Sequence, residues 1–439
     1  MTLPSFEDFL AEYISLESVS SMPRPGAMEK TAQFLVDHLQ AMKFSAEVVP
    51  VSGGHPIVFA RRRVASPKIK LLFYGHYDVQ PAEPLEEWKT SPFRLTVRDG
   101  IAYGRGVADD KGPMAAMLYG LFNTNLDDAI DITVIIEGEE EIGSPHFEEF
   151  LKKHEIIADA VIIADTGSIS EVVPALTTGM RSIVSFNLNL RTGQRDLHSG
   201  FGGALPNAIH ELTRLCAMLH DGRGRVAVEG FYEDVIPPTD AERKAFQFLE
   251  AGESSFPEAM GTRSVADLFP PHLPRSIHAF MPSLEVNGIR GGSEKTIIPA
   301  EASANITARV VNGQNPSKIA KLVEQFIRKH VPRYADLTLT SKCFGAPYAI
   351  DPENASSIFF ELFHRMECSM ETAFEESPLH LREGGSIGVV DAFKNICGAD
   401  SILVGVVPPD AQIHGPNEHI SMEILHRTRR LFMKFFQKF

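Results

Sequence analysis

Residues 71–112 read LLFYGHYDVQPAEPLEEWKTSPFRLTVRDGIAYGRGVADDKG, and this stretch decides the fold. Ile69, Leu71, Leu72, Phe73 and Tyr74 form a short apolar run stopped by Gly75, the pattern of a strand buried on both faces of a parallel sheet. His76 and Asp78 follow at its carboxyl end, and Asp109 and Asp110 close the stretch. In open α/β sheets ligands bind at the carboxyl ends of the strands, so these four residues suit chemistry better than core packing.

Working outward, two further strands end the same way. Ile132–Ile136 (ITVII) runs into Glu137, Gly138, Glu139, Glu140 and Glu141, and Ala160–Ala164 delivers Asp165. Helical stretches separate them, among them 112–125 with Met114, Met117, Leu118 and Leu121 on one face. Amphipathic helices at 5–16 and 27–42 precede the first strand. Alternation of strands and helices with acids or histidine at each strand end predicts an α/β domain around a mostly parallel sheet. Near Thr177 the texture changes. Val184, Phe186, Leu188 and Leu190 alternate with Ser185, Asn187, Asn189 and Arg191, and Ile306, Ala308 and Val310 alternate with Asn305, Thr307 and Arg309, as in an antiparallel sheet wet on one face. Helices are expected at 207–219 and 317–329, a closing strand at 336–340, and irregular chain at 237–274. The expected organisation is therefore a discontinuous domain, 1–177 with 346–439, carrying a smaller inserted α+β domain at 178–345. The strand 401–406 and a final helix at 422–436 resume the parallel style, with His414 between them.

Composition excludes several classes. A chain of 439 residues is long for one hydrophobic core and favours two domains. The formal charge of −15 offers no basic footprint for nucleic acid or an anionic membrane, and no apolar run approaches the ~20 residues of a membrane span. Cys216, Cys343, Cys368 and Cys397 lie far apart, which excludes a cysteine zinc site and points to a reducing, cytoplasmic setting. Glu7, Asp8 and Glu12 interrupt the apolar N-terminus, unlike a signal peptide.

His76, Asp78, Asp109, Asp110, Glu139, Glu140, Glu141, Asp165 and His414 all fall at strand ends or in adjoining loops. Imidazole and carboxylate together suit Zn²⁺, Mn²⁺ or Co²⁺. The set is too large for one ion; two ions about 3.5–4 Å apart, sharing a carboxylate and a water, would use it. One more carboxylate would stay off the metals to move protons.

The motifs GHYDVQPA, YGRGVADDKGP, EGEEEIGS, DLHSG and IHGPNE occur in an order and spacing that resembles the M20 metallopeptidases, most closely the carnosinase-like, cytosolic nonspecific dipeptidase branch. That resemblance spans essentially the whole chain. It implies a phosphorylase/hydrolase-like catalytic domain, an inserted lid that also dimerises, and two divalent ions, zinc first with manganese or cobalt as alternatives. By the same resemblance His76 and Asp165 ligate one ion, Glu141 and His414 the other, and Asp109 bridges. Asp78 orients His76, and Glu140 is the general base acting on the metal-bridging water. His198, in the DLHSG motif, stabilises the oxyanion, across a homodimer in dimeric members. Arg309, Thr296 and Ser386 match positions that hold a substrate carboxylate. Asp110 is expected to cap the helix that follows it, Trp88 and Phe93 to pack within their loop, and His146, His154, His210, His220 and His419 to be surface or capping residues.

The function implied is metal-dependent hydrolysis of dipeptides or similar small amides with a free C-terminus. Deacylation of N-acyl amino acids would use the same metals and carboxylate clamp. From another class, a metal-holding scaffold without turnover would need the ligands but not Glu140.

Overall fold

The computed structural model describes residues 3–124, 129–238, 242, 279–385 and 387–437. The chain forms two compact units: Met1–Thr178 with Ile350–Leu381 and Ile387–Phe439, and Gly179–Ala349 with Arg382–Ser386. The second unit runs on to Ala349 because Tyr348 and Ala349 pair with Met180 and Gly179. It also takes in the turn after Leu381, where the backbone N–H of Arg181 donates to the Gly385 carbonyl. Most of the 237–274 stretch lies outside the described residues.

In the first unit four parallel strands form the centre of the sheet, in the order Ile130–Glu137, Ile69–His76, Ala160–Gly167 and Ser401–Val407. Their sequences are runs of Ile, Val and Leu, and Ile130–Glu137 and Ser401–Val407 are buried along their whole length, as strands covered on both faces must be. Antiparallel strands flank them, Ile57–Arg62 and then Ser45–Val49 on one side and Ala175–Met180 on the other, so the sheet is mixed.

Helix Lys111–Phe122 is buried on every side, not on one face alone. The reason is its position against helix Met422–Phe435, so close that a Cβ on Gly120 would lie 2.5 Å from the Phe432 Cβ. A helix covered all round reads as apolar all round, which hides its periodicity. Helix Phe6–Ser15 shows the ordinary case: the Ser5 hydroxyl accepts from the Asp8 N–H, and Phe6, Phe9, Leu10, Tyr13 and Ile14 are buried at helical spacing. Since the four central strands are parallel, their carboxyl ends lie on one edge, where His76, Glu137, Asp165 and the loop after Val407 emerge.

The second unit is built on a four-stranded antiparallel sheet, Ser283–Gly291, Glu301–Val310, Ser182–Arg191 and Asp336–Phe344 in that order. Val184, Phe186, Leu188 and Leu190 face helices Ala208–Met218 and Pro316–His330 in a separate core. Asn207 and Asn315 cap the two helices through their side-chain oxygens. Among the described residues no helix is long and apolar enough to cross a membrane.

Candidate metal centre

Two groups of donor atoms lie at the carboxyl edge of the first unit's sheet. His76, Asp109 and Asp165 form one, and Asp109, Glu141 and His414 the other; within each group the donor atoms lie within 4.8 Å of one another. His76 Nε2 is 3.0 Å from Asp109 Oδ1 and 3.7 Å from Asp165 Oδ2. His414 Nε2 is 3.0 Å from Asp109 Oδ2 and 3.1 Å from Glu141 Oε2. Asp109 thus turns one carboxylate oxygen to each group.

Local structure accounts for each placement. His76 ends its strand, and Asp165 lies near the end of the neighbouring parallel strand. Glu141 sits in the turn Glu140–Ile142, which Gly143 closes at φ 85°, a left-handed conformation that glycine adopts without strain. Asp78, fully buried, ties these pieces together. Its two carboxylate oxygens accept the backbone N–H groups of Glu140 and Glu141 at 3.2 and 3.1 Å. The His76 ring places Nδ1 3.0 Å from the Asp78 carbonyl oxygen and 3.3 Å from its carboxylate, which leaves Nε2 for the metal side.

The three consecutive glutamates separate by role. Glu139 is occupied structurally: Oε1 accepts from the His55 N–H and Oε2 contacts His146 Nδ1 at 2.8 Å. Glu141 joins the second donor group and also accepts from Gln80 Nε2 at 2.8 Å. Glu140 remains. Burial pushes its carboxyl well above the ordinary range; the His76 charge opposes this, while Asp165, Glu141 and Asp109 push it further up.

The electrostatics fit divalent cations. Burial and then the Asp109 charge raise the Asp165 carboxyl to about 6. At Asp109 burial acts upward too, yet hydrogen bonds from His414 and His76 outweigh it and hold the carboxyl below its usual value. The His414 imidazole is raised to about 10, by its hydrogen bonds to Asp109 and Glu141. At His76 burial acts downward, but the hydrogen bonds to Asp109, Asp165 and Asp78 raise the ring well above its ordinary value. Crowded acids that hold protons on two imidazoles are what a pair of cations would relieve. Tetrahedral ligands at about 2.0–2.2 Å from an ion stand roughly 3.3–3.6 Å apart, close to the separations above, so the residues present fit two ions.

Asp110 does not act as expected. Its side chain makes no cap hydrogen bond to the helix. Instead Oδ2 accepts from the His76 backbone N–H at 3.3 Å. A Cβ on Gly75 would lie 2.6 Å from that oxygen, so only glycine leaves room for the approach. Trp88 packs as expected, its Nε1 donating to the Ala82 carbonyl.

The second unit brings two other residues together. Leu197–His198 pairs with Ile297–Ile298, and the Ser199 N–H donates to the Thr296 carbonyl, so His198 and Thr296 are neighbours. His198 is exposed, and its Nδ1 accepts from the Gly200 N–H. A ring nitrogen that accepts carries no hydrogen, so the neutral ring presents an Nε2 donor. Arg309 stands opposite Ile183 in the sheet register, half-buried, with burial lowering its guanidinium. Ser386 lies outside the described residues, but the two glycines before it are held: Arg181 Nε donates to the Gly384 carbonyl at 2.8 Å. Burial, and after it the charge of Arg309, lowers Arg181 to about 10, which places two guanidinium groups in one neighbourhood.

Four residues escaped the sequence reading: Gln80, Arg181, Arg105 and Glu418. Three of them sit inside quoted motifs, as the Q of HYDVQPA, the R of YGRG and the last residue of IHGPNE. The usable signal was a charged or amide residue inside a motif that had no role assigned to it.

The profile of Peptidase family M20/M25/M40 matches residues 72–438. The chain is 30% identical to the Cys-Gly metallodipeptidase DUG1 of Candida albicans, over 95% of this chain and 91% of that protein. It is 28% identical to the Beta-Ala-His dipeptidase of Homo sapiens, over 98% and 89% respectively. Among solved structures, the M20 family metallo-carboxypeptidase Sso-CP2 from Sulfolobus solfataricus matches with a TM-score of 0.87 at 25% identity, covering 99% of each chain. A profile match of that extent, over a chain whose His76, Asp109, Glu141, Asp165 and His414 meet at one sheet edge, assigns the protein to its family: it belongs to peptidase family M20/M25/M40.

Proposed function

We propose that this protein is a metal-dependent dipeptidase that cleaves the amide bond of small peptides with a free C-terminal carboxylate. The observation that carries the reading is the pair of donor groups sharing Asp109, with the half-buried Glu140 in the turn that holds Glu141 and feeling the charges of His76, Asp165, Glu141 and Asp109. The names of the relatives, dipeptidases acting on Beta-Ala-His and Cys-Gly, support the substrate class. His76 and Asp165 would hold one divalent ion, Glu141 and His414 the other, and Asp109 both. Zinc suits this donor set best, with manganese or cobalt next. When bound, such ions supply a low-pKa water and draw charge from the scissile carbonyl.

The chain's own residues do the rest. Asp78 fixes the His76 ring and the Glu140–Glu141 turn. Glu140 takes the proton of the attacking water and returns it to the leaving amine nitrogen, a transfer suited to a carboxyl already raised above its ordinary range. His198 offers its Nε2 donor to the oxyanion, and in a homodimer formed through the second unit it would serve the partner's site. Arg309, Thr296 and Ser386 would receive the substrate carboxylate, the guanidinium fork of Arg309 being the strongest of the three. Cys216, Cys343, Cys368 and Cys397 are free thiols, in keeping with a cytoplasmic protein.

The test is hydrolysis of a dipeptide library by protein stripped with chelator and reloaded with Zn²⁺, Mn²⁺ or Co²⁺, beside N-acetyl and N-succinyl amino acids. Metal-restored cleavage of dipeptides, reduced about 10²–10⁴-fold in Glu140→Gln at unchanged metal content, is expected. Turnover of the N-acyl compounds alone would overturn the substrate assignment. A Glu140→Gln protein within a few-fold of wild type would remove Glu140 from the chemistry.

A further inference from the structure

Arg105 and Glu418 form an ion pair at 2.7 Å in which both side chains are 1% exposed. Burying two charges costs more than their attraction usually returns, so such a pair is poor evidence of stability and asks for a different explanation. Its partners supply one. The Glu418 carboxylate accepts the backbone N–H groups of Gly106, Ala108 and Asp109 at 3.0, 2.9 and 3.2 Å, gripping the loop that delivers Asp109. Arg105 Nη2 donates to the carbonyls of Pro81 and His414, at 3.0 and 3.2 Å. One buried pair therefore clasps the loop of Asp109 to the loop of His414.

The clasp serves the two donor groups unequally. His76 and Asp165 stand on adjacent parallel strands, and the sheet ladder holds them. His414 has no such support: its φ is 63°, and 54% of its side chain is exposed. Two of the three donors in the Asp109–Glu141–His414 group hang on the clasp, against one in the His76–Asp109–Asp165 group. We infer that Arg105 and Glu418 are positioning residues that set the metal affinity of the His414 half of the centre, leaving the His76 half largely to the sheet. The inference rests on the two-ion reading above.

The experiment is calorimetric titration of chelator-stripped protein with Zn²⁺, together with unfolding of the metal-free forms. Arg105→Lys keeps the charge pair with Glu418 but lacks the fork that also reaches the His414 carbonyl. Glu418→Gln keeps an acceptor but loses the charge, and serves if the first variant is too mild. His414→Ala and Asp165→Ala identify which binding step belongs to which half. Wild type should bind two ions per chain. Arg105→Lys should weaken the step that His414→Ala abolishes by about 10–100-fold and the other step by less than about threefold. Equal weakening of both steps, a loss confined to the step that Asp165→Ala abolishes, or unchanged affinities in both variants would overturn the inference alone. Fewer than two ions in wild type would overturn the two-ion reading and this inference with it.

Discussion

Replacing Asp78 by asparagine separates the organising role of that side chain from any direct role. The native carboxylate accepts from Glu140 N–H at 3.2 Å and Glu141 N–H at 3.1 Å. Asparagine has one accepting oxygen, so whichever way the amide turns, one of the two buried N–H groups meets another donor. An orphaned buried donor costs about 1–3 kcal/mol, and reducing the other bond from charged to neutral costs about 1 kcal/mol more. The metal-free protein should therefore lose roughly 2–4 kcal/mol in guanidinium chloride unfolding. The His76 ring keeps its shorter hydrogen bond, 3.0 Å to the Asp78 carbonyl, and exchanges only the longer 3.3 Å contact with the carboxylate for one with the amide. The damage accordingly falls on the Glu140–Glu141 turn. Competition titration against a chelating dye should show the Glu141–His414 step weakened about 10–100-fold and the His76–Asp165 step little changed. Equal loss in both steps, or a stability loss without any change in metal affinity, would refute the account of Asp78 as the support of that turn.

Gln80→Leu removes the amide donor on Glu141 and should weaken the same step by roughly tenfold, again by dye competition; an unchanged constant would show that the hydrogen bond does not matter. In metal-free protein His76 and His414 are both raised, His414 to about 10, so at neutral pH both imidazoles hold protons that metal must displace. Metal uptake should release protons, and affinity should rise with pH toward 10 and fall as pH drops; calorimetry in buffers of different ionisation enthalpy counts the protons, and a count of zero refutes the assignment. Lys111 is fully buried, its amine lowered by that burial to about 7 against partial opposition from Asp78 and Glu418. The unfolded chain then binds this proton more tightly than the folded one. The cost of burying the charge is complete below about pH 7 and is relieved as pH rises toward 10.5. The stability of wild type relative to Lys111→Met should rise by a few kcal/mol across that window, read from urea midpoints of the metal-free proteins; a flat difference would contradict it.

What the sequence disclosed was whatever repeats at the period of a single element or sits inside a motif. The central strands announced themselves through unbroken Val, Ile and Leu, and the sheet of the second unit through strict alternation from Val184 to Leu190. His76, Glu141 and Asp165 were legible because each closely follows such a run, whereas Asp109 and His414 were legible through their motifs. Less legible was anything set by packing between distant segments. The sequence shows one apolar face over 112–125, because nothing local reveals that helix 422–435 covers the other side of the helix that forms at 111–122. Asp110 was read as a cap from its position before Gly112, whereas the approach to His76 depends on the strand end at Gly75. Arg105 and Glu418 lie far apart in the chain, and no local pattern pairs two charged residues across that distance. The register of the three glutamates comes, in the sequence, from the EGEEEIGS resemblance; the contacts of Glu139 with His55 and His146 depend on packing between separate segments.

The place of strand Ser401–Val407 in the sheet bears on how the protein is made. It lies between Ala160–Gly167 and Ala175–Met180, two strands synthesised long before it. During translation, His76, Asp109, Glu141 and Asp165 leave the ribosome while their sheet still lacks this member, and the nascent edge of Ala160–Gly167 has no parallel neighbour on that side. Contacts so remote in sequence form late, because the chain between them must first be ordered. The second donor group closes only once His414, 249 residues after Asp165, has been made, so a cation held there would be captured after one held by the first group.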